Sequence, residues 1–166
     1  DRTWRFFLDS EARFPDGSPL KASDVSFSIE RLRSLSGSQM SGFTRHIVST
    51  QVVDDLTIDI HTDTPIAILN SLAFIPVMSE KQVKEAGEGV SNRPFGTGAY
   101  RLARWEKGKL IVLEANPHHK PAPAIGRAEF VIHDAPDLLE DVLKTHPDIT
   151  LFFTRSKIEE LEMGPA

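Results

Sequence analysis

A chain of 166 residues can enclose one compact core, or two small cores that share an interface. Its 40% hydrophobic and 26% charged composition is that of an ordinary globular domain, and a net charge of −5 with both signs interleaved leaves no basic stripe for nucleic acid. Cysteine is absent, which excludes disulfides, zinc–thiolate centres and thiol nucleophiles and leaves the compartment open.

No segment reaches the roughly 18 apolar residues that a membrane helix requires, and no basic-then-apolar export signal begins at Asp1. The chain opens on Thr3-Trp4-Arg5-Phe6-Phe7-Leu8, which reads as the middle of a strand. A longer parent chain with its export signal upstream is therefore expected.

Phe14-Pro15-Asp16-Gly17-Ser18-Pro19 is a turn by composition. A helix is predicted from Ala22 to Leu35, with Val25, Ile29 and Leu32 as its apolar stripe and Ser23 and Asp24 in its first turn. From Ser49 to Thr62 the period changes to two. Leu56, Ile58 and Ile60 alternate with Thr57, Asp59 and His61, which predicts a strand with one wet face, and Asp54-Asp55 marks a hairpin turn.

Thr64-Pro65 is expected to open a second helix that buries Ile66, Leu69, Leu72 and Ala73. Ser79 and Gln82 form a candidate capping box for a short helix that Gly87 stops. Beyond a loop at Gly89 to Arg93, Phe95-Gly96-Thr97-Gly98 is a corner where glycine lets the chain double back. A hairpin of Tyr100–Trp105 and Leu110–Glu114 follows, turning at Glu106 to Lys109, and Asn116 to Pro123 is a connection. Strand, helix and strand are then expected at 130–132, 138–143 and 149–153, a unit that ordinarily gives parallel strands.

Few motifs carry chemistry. Gly96-Thr97-Gly98 holds two of the three glycines of a dinucleotide fingerprint, but a strand follows it, so the helix N-terminus that would hold a pyrophosphate is missing. His118-His119 lacks a third ligand at usable spacing and reads as a solvated loop; no metal site is expected. His61 and Asp63 share one strand face and are the best acid–base pair available to a hydrolase, yet no G-x-S-x-G elbow, P-loop or H-E-x-x-H occurs. His46, His133 and His146 are isolated, and Glu159-Glu160 reads as a solvated helix face. Phe43 and Phe95 stand out among the phenylalanines because they lie at turns, where they either plug the core or line a cleft.

Several segments, in order, resemble the family 5 solute-binding proteins of ABC importers, the oligopeptide-, dipeptide- and nickel-binding type. The first runs from Trp4-Arg5-Phe6-Phe7-Leu8 through Phe14-Pro15-Asp16-Gly17-Ser18-Pro19-Leu20-Lys21-Ala22-Ser23-Asp24-Val25 to Leu32. The second is Val53-Asp54-Asp55-Leu56-Thr57-Ile58. The third is Phe95-Gly96-Thr97-Gly98-Ala99-Tyr100, completed by Leu113-Glu114-Ala115-Asn116-Pro117. Three positions depart from the family pattern. Lys21 stands where a hydroxyl residue usually caps the signature helix, His118-His119-Lys120 replaces an aromatic pair, and Lys144 to Asp148 lacks the expected glycine.

The resemblance implies an α/β fold of the type II periplasmic-binding-protein kind, present here as a fragment of the first lobe. Residues 1–95 would be its extra α+β subdomain and residues 96–166 part of its central α/β layer, with the second lobe absent. It further implies a non-enzymatic, periplasmic or extracellular protein without cofactors. Such a protein would capture a peptide or other small molecule by lobe closure and pass it to ABC permease subunits at the membrane. Phe43, with Met40, Arg45 and His46, would be the ligand-facing group. Nickel chelates, sugars and opines are further ligand classes of the family. A ligand-sensing domain of a regulator with the same fold is the alternative.

Overall fold

The computed structural model describes residues 1–35, 39–87 and 94–132. The chain divides into two compact units, Asp1–Val131 and Ile132–Ala166. Apart from Ile132 the described residues belong to the first unit; the predicted helix and strand at 138–153, His133, His146, Glu159-Glu160 and the loop at Gly89 to Arg93 lie outside the described residues.

Strand β1 (Thr3–Phe7) leads through the Phe14–Pro19 turn into helix α1 (Ala22–Ser34). Gly17 takes φ of 85°, the left-handed value that a Cβ penalises. Asp16 closes this turn by accepting from the Ser18 hydroxyl at 2.6 Å and the Ser18 N–H at 2.9 Å. Ala22, Ile29 and Leu32 face inward from α1, while Val25 is only half-buried. At the helix start, Asp24 accepts from the Lys21 N–H at 3.0 Å and the Glu80 N–H at 2.8 Å. Lys21 has no acceptor in its side chain, so that half of the capping box is missing; its Nζ instead reaches Asp55 at 3.0 Å.

A 3-10 turn (Gln39–Thr44) precedes β2 (Ile47–Asp54) and β3 (Thr57–Thr62). These strands and β1 form an antiparallel sheet in the order β1-β3-β2. Ile58 and Ile60 of the central strand are buried in one cluster with Ala22, Ile29, Leu32, Ile47, Ile68 and Ile75. The hairpin turn falls on Asp55-Leu56, one residue later than the sequence predicts, so Leu56 leaves the strand and is exposed. The polar face is open to solvent at Thr3, Arg5, Ser49 and Gln51, as expected, but two central-strand residues on it are covered. Thr57 and Asp59 are each only 7% exposed, because β3 has a neighbour on both sides and Arg5 lies across Asp59.

The helix expected from Pro65 shrinks to a single turn, α2 (Leu69–Leu72). Of its predicted buried side, Ile66 and Leu72 are half-buried against the core, but Leu69 and Ala73 are exposed, and Ile68 and Ile75 carry the deepest burial. Alternate apolar residues on both sides of the turn defeated the periodicity. Helix α3 (Glu80–Ala86) is capped by Ser79, whose hydroxyl accepts from the Gln82 N–H, and ends at Gly87 with φ of 53°. Gln82 does not complete the box, because its side-chain amide donates to Asp16 at 2.9 Å.

Strands β4 (Tyr100–Glu106), β5 (Leu110–Ala115) and β6 (Arg127–Val131) form a second antiparallel sheet in that order. Pairing places Leu102, Leu113 and Ala128, and likewise Trp105, Ile111 and Phe130, side by side on one face. The opposite face carries an ion-pair ladder in which Arg101 meets Glu114 at 3.0 Å and Arg127 meets Glu129 at 2.7 Å.

Candidate functional site

The signature segments, far apart in sequence, meet at one joint. Phe14 stacks on Phe95 with centroids 5.7 Å apart. The imidazole of His118 lies over Gly17, so close that a Cβ there would sit 3.3 Å from Nε2. Asn116, only 1% exposed, holds the far side together. Its Nδ2 donates to the Gly98 carbonyl at 3.0 Å, its Oδ1 accepts from the His118 N–H at 3.0 Å, and its own N–H donates to Ala99 at 2.8 Å. His119 Nδ1–H donates to the Thr97 carbonyl at 3.2 Å, and Lys120 reaches Glu11 at 3.3 Å.

His118-His119 lies in a turn with His118 exposed, as the sequence suggests, and it also borders the seam, His118 beside Gly17 and His119 bonded to the Thr97 carbonyl. The glycines of the Phe95–Gly98 corner do not supply positive φ; a Cβ on Gly96 would instead come within 3.4 Å of the Val77 carbonyl. Asn116 is the residue that sequence reasoning undervalued. Its one signal was an asparagine before a proline at a strand end, a pattern that also fits any surface turn.

The four predicted ligand-facing residues separate into two pairs. Met40 and Phe43, on the 3-10 turn, pack against the core cluster. Phe43 also stacks on Phe74 from the chain after α2, with centroids 4.7 Å apart and planes at 20°. Arg45 and His46 turn away toward the end of β3. His46 Nδ1 lies 3.1 Å from Asp63 Oδ1, and Arg45 Nε donates to His46 Nε2 at 3.0 Å. An arginine can only donate, so Nε2 is the acceptor and the proton sits on Nδ1, facing the carboxylate.

The acid–base pair that the sequence offered is not formed. Asp63 lies past the end of β3 and engages His46, while His61 Nδ1 is hydrogen-bonded to Thr3 Oγ1 at 3.0 Å. Elsewhere on that face Arg5 grips Asp59 through two bonds of 2.7 Å, which hold the Asp59 carboxyl below its ordinary range against the opposing effect of burial. Asp54, which accepts from the Leu56 N–H, and Asp16, bonded by Ser18, are lowered for the same reason. These are structural carboxylates. Among the described residues no group of three or more metal-binding side chains converges, and no helix is long and apolar enough to cross a membrane.

A groove of about 840 Å³ opens between α3 and β4, lined by Asp16, Gln82, Glu85, Arg101 and Lys107 among others. Both of its arginines are already matched, Arg101 by Glu114 across the sheet and Arg104 by Glu106.

The family model for bacterial extracellular solute-binding proteins, family 5, matches residues 1–166. The chain belongs to that family. In Escherichia coli (strain K12), the "Probable D,D-dipeptide-binding periplasmic protein DdpA" is 29% identical over 126 residues, covering 71% of this chain and 24% of that protein. The HTH-type transcriptional regulator SgrR of another Escherichia coli strain is 31% identical over 110 residues, covering 66% of this chain and 19% of the regulator. The solved structure of MoaA from A. tumefaciens R10, in complex with mannopinic acid, superposes with a TM-score of 0.82 at 21% identity, over 99% of this chain and 35% of that one. The fold is thus that of the type II periplasmic binding proteins. The chain spans about a quarter of the length of the dipeptide-binding relative and about a third of the solved structure.

Proposed function

We propose that the chain is part of the substrate-binding component of an ABC importer, capturing a small solute, most simply a peptide, for delivery to a permease. Family membership along the whole chain carries this reading. The joint supports it, because the signature residues are spent on stacking, turn closure and carbonyl capping. Among the described residues, the His61–Asp63 pairing that a hydrolase would need is not made. The protein works as a binder and makes or breaks no bond.

Residues 1–95 are the extra subdomain of the first lobe and residues 96–166 part of its central layer; a second lobe elsewhere in the parent protein closes the cleft. The Phe43 turn faces that cleft, with Met40 behind it and Arg45 and His46 at its edge. The protein works outside the cytoplasmic membrane, held there through the permease and without a cofactor. A dipeptide-binding relative favours a peptide ligand.

Calorimetry with a peptide library tests this on the intact protein and on the chain alone. Micromolar or tighter binding by the intact protein and little by the chain is expected. Tight binding by the chain alone overturns the two-lobe account, and no binding by the intact protein overturns peptide capture. The match to a transcriptional regulator favours a second reading, a ligand-sensing domain. A DNA-binding segment encoded upstream of Asp1 would decide for it.

A further inference from the structure

Two stretches of this chain carry no Asp, Glu, Lys or Arg, although 26% of its residues are charged: Ser34 to Thr44, and Thr64 to Ser79. They are remote in sequence, yet the fold brings their described parts together, the 3-10 turn against α2, and Phe43 stacks on Phe74 beside that contact. Core packing explains part of this, since Ile68 and Ile75 are buried. It does not explain Phe74, which is 57% exposed. A lone ring on a surface needs no account, but this one is fixed by a second ring on one face and open on the rest. Phe43 is itself anchored on the core cluster, so the exposed ring rests on a rigid base. Ordering it on binding therefore costs little conformational entropy.

We infer that Phe74 is a specificity-determining residue of the cleft and that, with Phe43, it forms a subsite for a neutral, apolar side chain of the bound solute. The inference rests on the solute-capture reading above and names the kind of group that this lobe selects. The charge pattern decides the occupant. Neither stretch offers a counter-charge, so an ionised side chain placed there would lose its water without compensation, whereas an apolar one gains by leaving water. Arg45 and His46 do not alter this, because they turn toward Asp63.

The test uses the intact protein and four tripeptides, Ala-Ala-Ala, Ala-Leu-Ala, Ala-Phe-Ala and Ala-Glu-Ala, with affinities measured by calorimetry. The wild type should prefer the leucine and phenylalanine peptides over the glutamate peptide by roughly 10- to 100-fold, the range expected for burying one large apolar side chain. Phe74→Ala should collapse that preference to within about threefold, and Phe74→Leu should keep most of it. Thermal unfolding of both variants verifies the fold, and the leucine variant keeps the test sound if the alanine variant unfolds. A Phe74→Ala protein that retains the wild-type preference overturns the inference, as does a uniform loss for all four peptides, which would make the patch a contact between lobes. If the wild type binds none of the four, solute capture as a peptide fails first and the subsite falls with it.

Discussion

Asn116 shows how much one side chain can hold. Removing it takes the side-chain partner from the Gly98 carbonyl and the His118 N–H, both on exposed residues that water reaches, so Asn116→Ala should cost about 1–3 kcal/mol by urea unfolding, at about 0.5–1.5 kcal/mol for each lost hydrogen bond. Gly17 faces a different constraint at the same joint. Gly17→Ala adds the penalty of a left-handed backbone, about 1–2 kcal/mol, together with the close approach to His118. Trimming the ring in a Gly17→Ala/His118→Ala double variant should relieve the second part only, so a double-mutant cycle should show coupling while the backbone cost persists.

The lowered carboxylates set a residue-level pH dependence. Asp16, Asp54 and Asp59 are all held below their ordinary values in the folded protein. The unfolded chain therefore binds more protons than the native one as pH falls through the carboxylate range, and stability falls with it. The contribution is fully present above about pH 5 and is lost progressively below about pH 4, where unfolded aspartates protonate. Urea midpoints measured between pH 3 and pH 7 should show this slope, and Asp59→Asn should flatten part of it. An unchanged slope in that variant would separate Asp59 from the acid response.

At the scale of elements, helix α1 starts with one half of its cap missing. Lys21→Ser adds a side-chain acceptor for the Asp24 N–H, which otherwise donates only to the Lys21 carbonyl at 3.0 Å, a gain of about 0.5–1 kcal/mol. It gives up the exposed Lys21–Asp55 pair, worth about 0–1 kcal/mol. A small net gain in thermal stability is expected, and a clear loss would show that the ion pair to the hairpin turn matters more than the cap. The helix itself was legible from the spacing of Ile29 and Leu32. So was the β2–β3 hairpin, apart from a one-residue shift that moved Leu56 into the turn. The failure at α2 has a physical cause. Between Thr64 and Ser79 nearly every residue is apolar or small, so no helical face stands out, and the packing of Ile68 and Ile75 into the core chose which residues turned inward.

For the whole molecule, the second sheet has an apolar face on which Trp105 and Phe130 are 45% and 44% exposed, and an opposite face laced by ion pairs. On the two-lobe reading proposed above, the chain by itself should bind peptides weakly or not at all, because it would hold only one side of the cleft. Titration calorimetry on the 166-residue chain beside the intact protein reads that difference directly.

Family, fold class and the order of most elements were determined by the sequence alone, because turns and caps depend on local chemistry: aspartate before glycine, serine before a helix, alternation in a strand. Of the proposed Phe43–Phe74 subsite, Phe43 was visible as an aromatic at a turn, but its stacking partner Phe74 lies 31 positions away along the chain, and no local pattern links the two. The seam of Phe14, Gly17, Phe95, Gly98, Asn116 and His118 was likewise decided by tertiary structure, since contacts between remote segments depend on how sheets and helices pack. That is also why His61 and Asp63, two residues apart, end on different partners, while Asp63 and His46 meet.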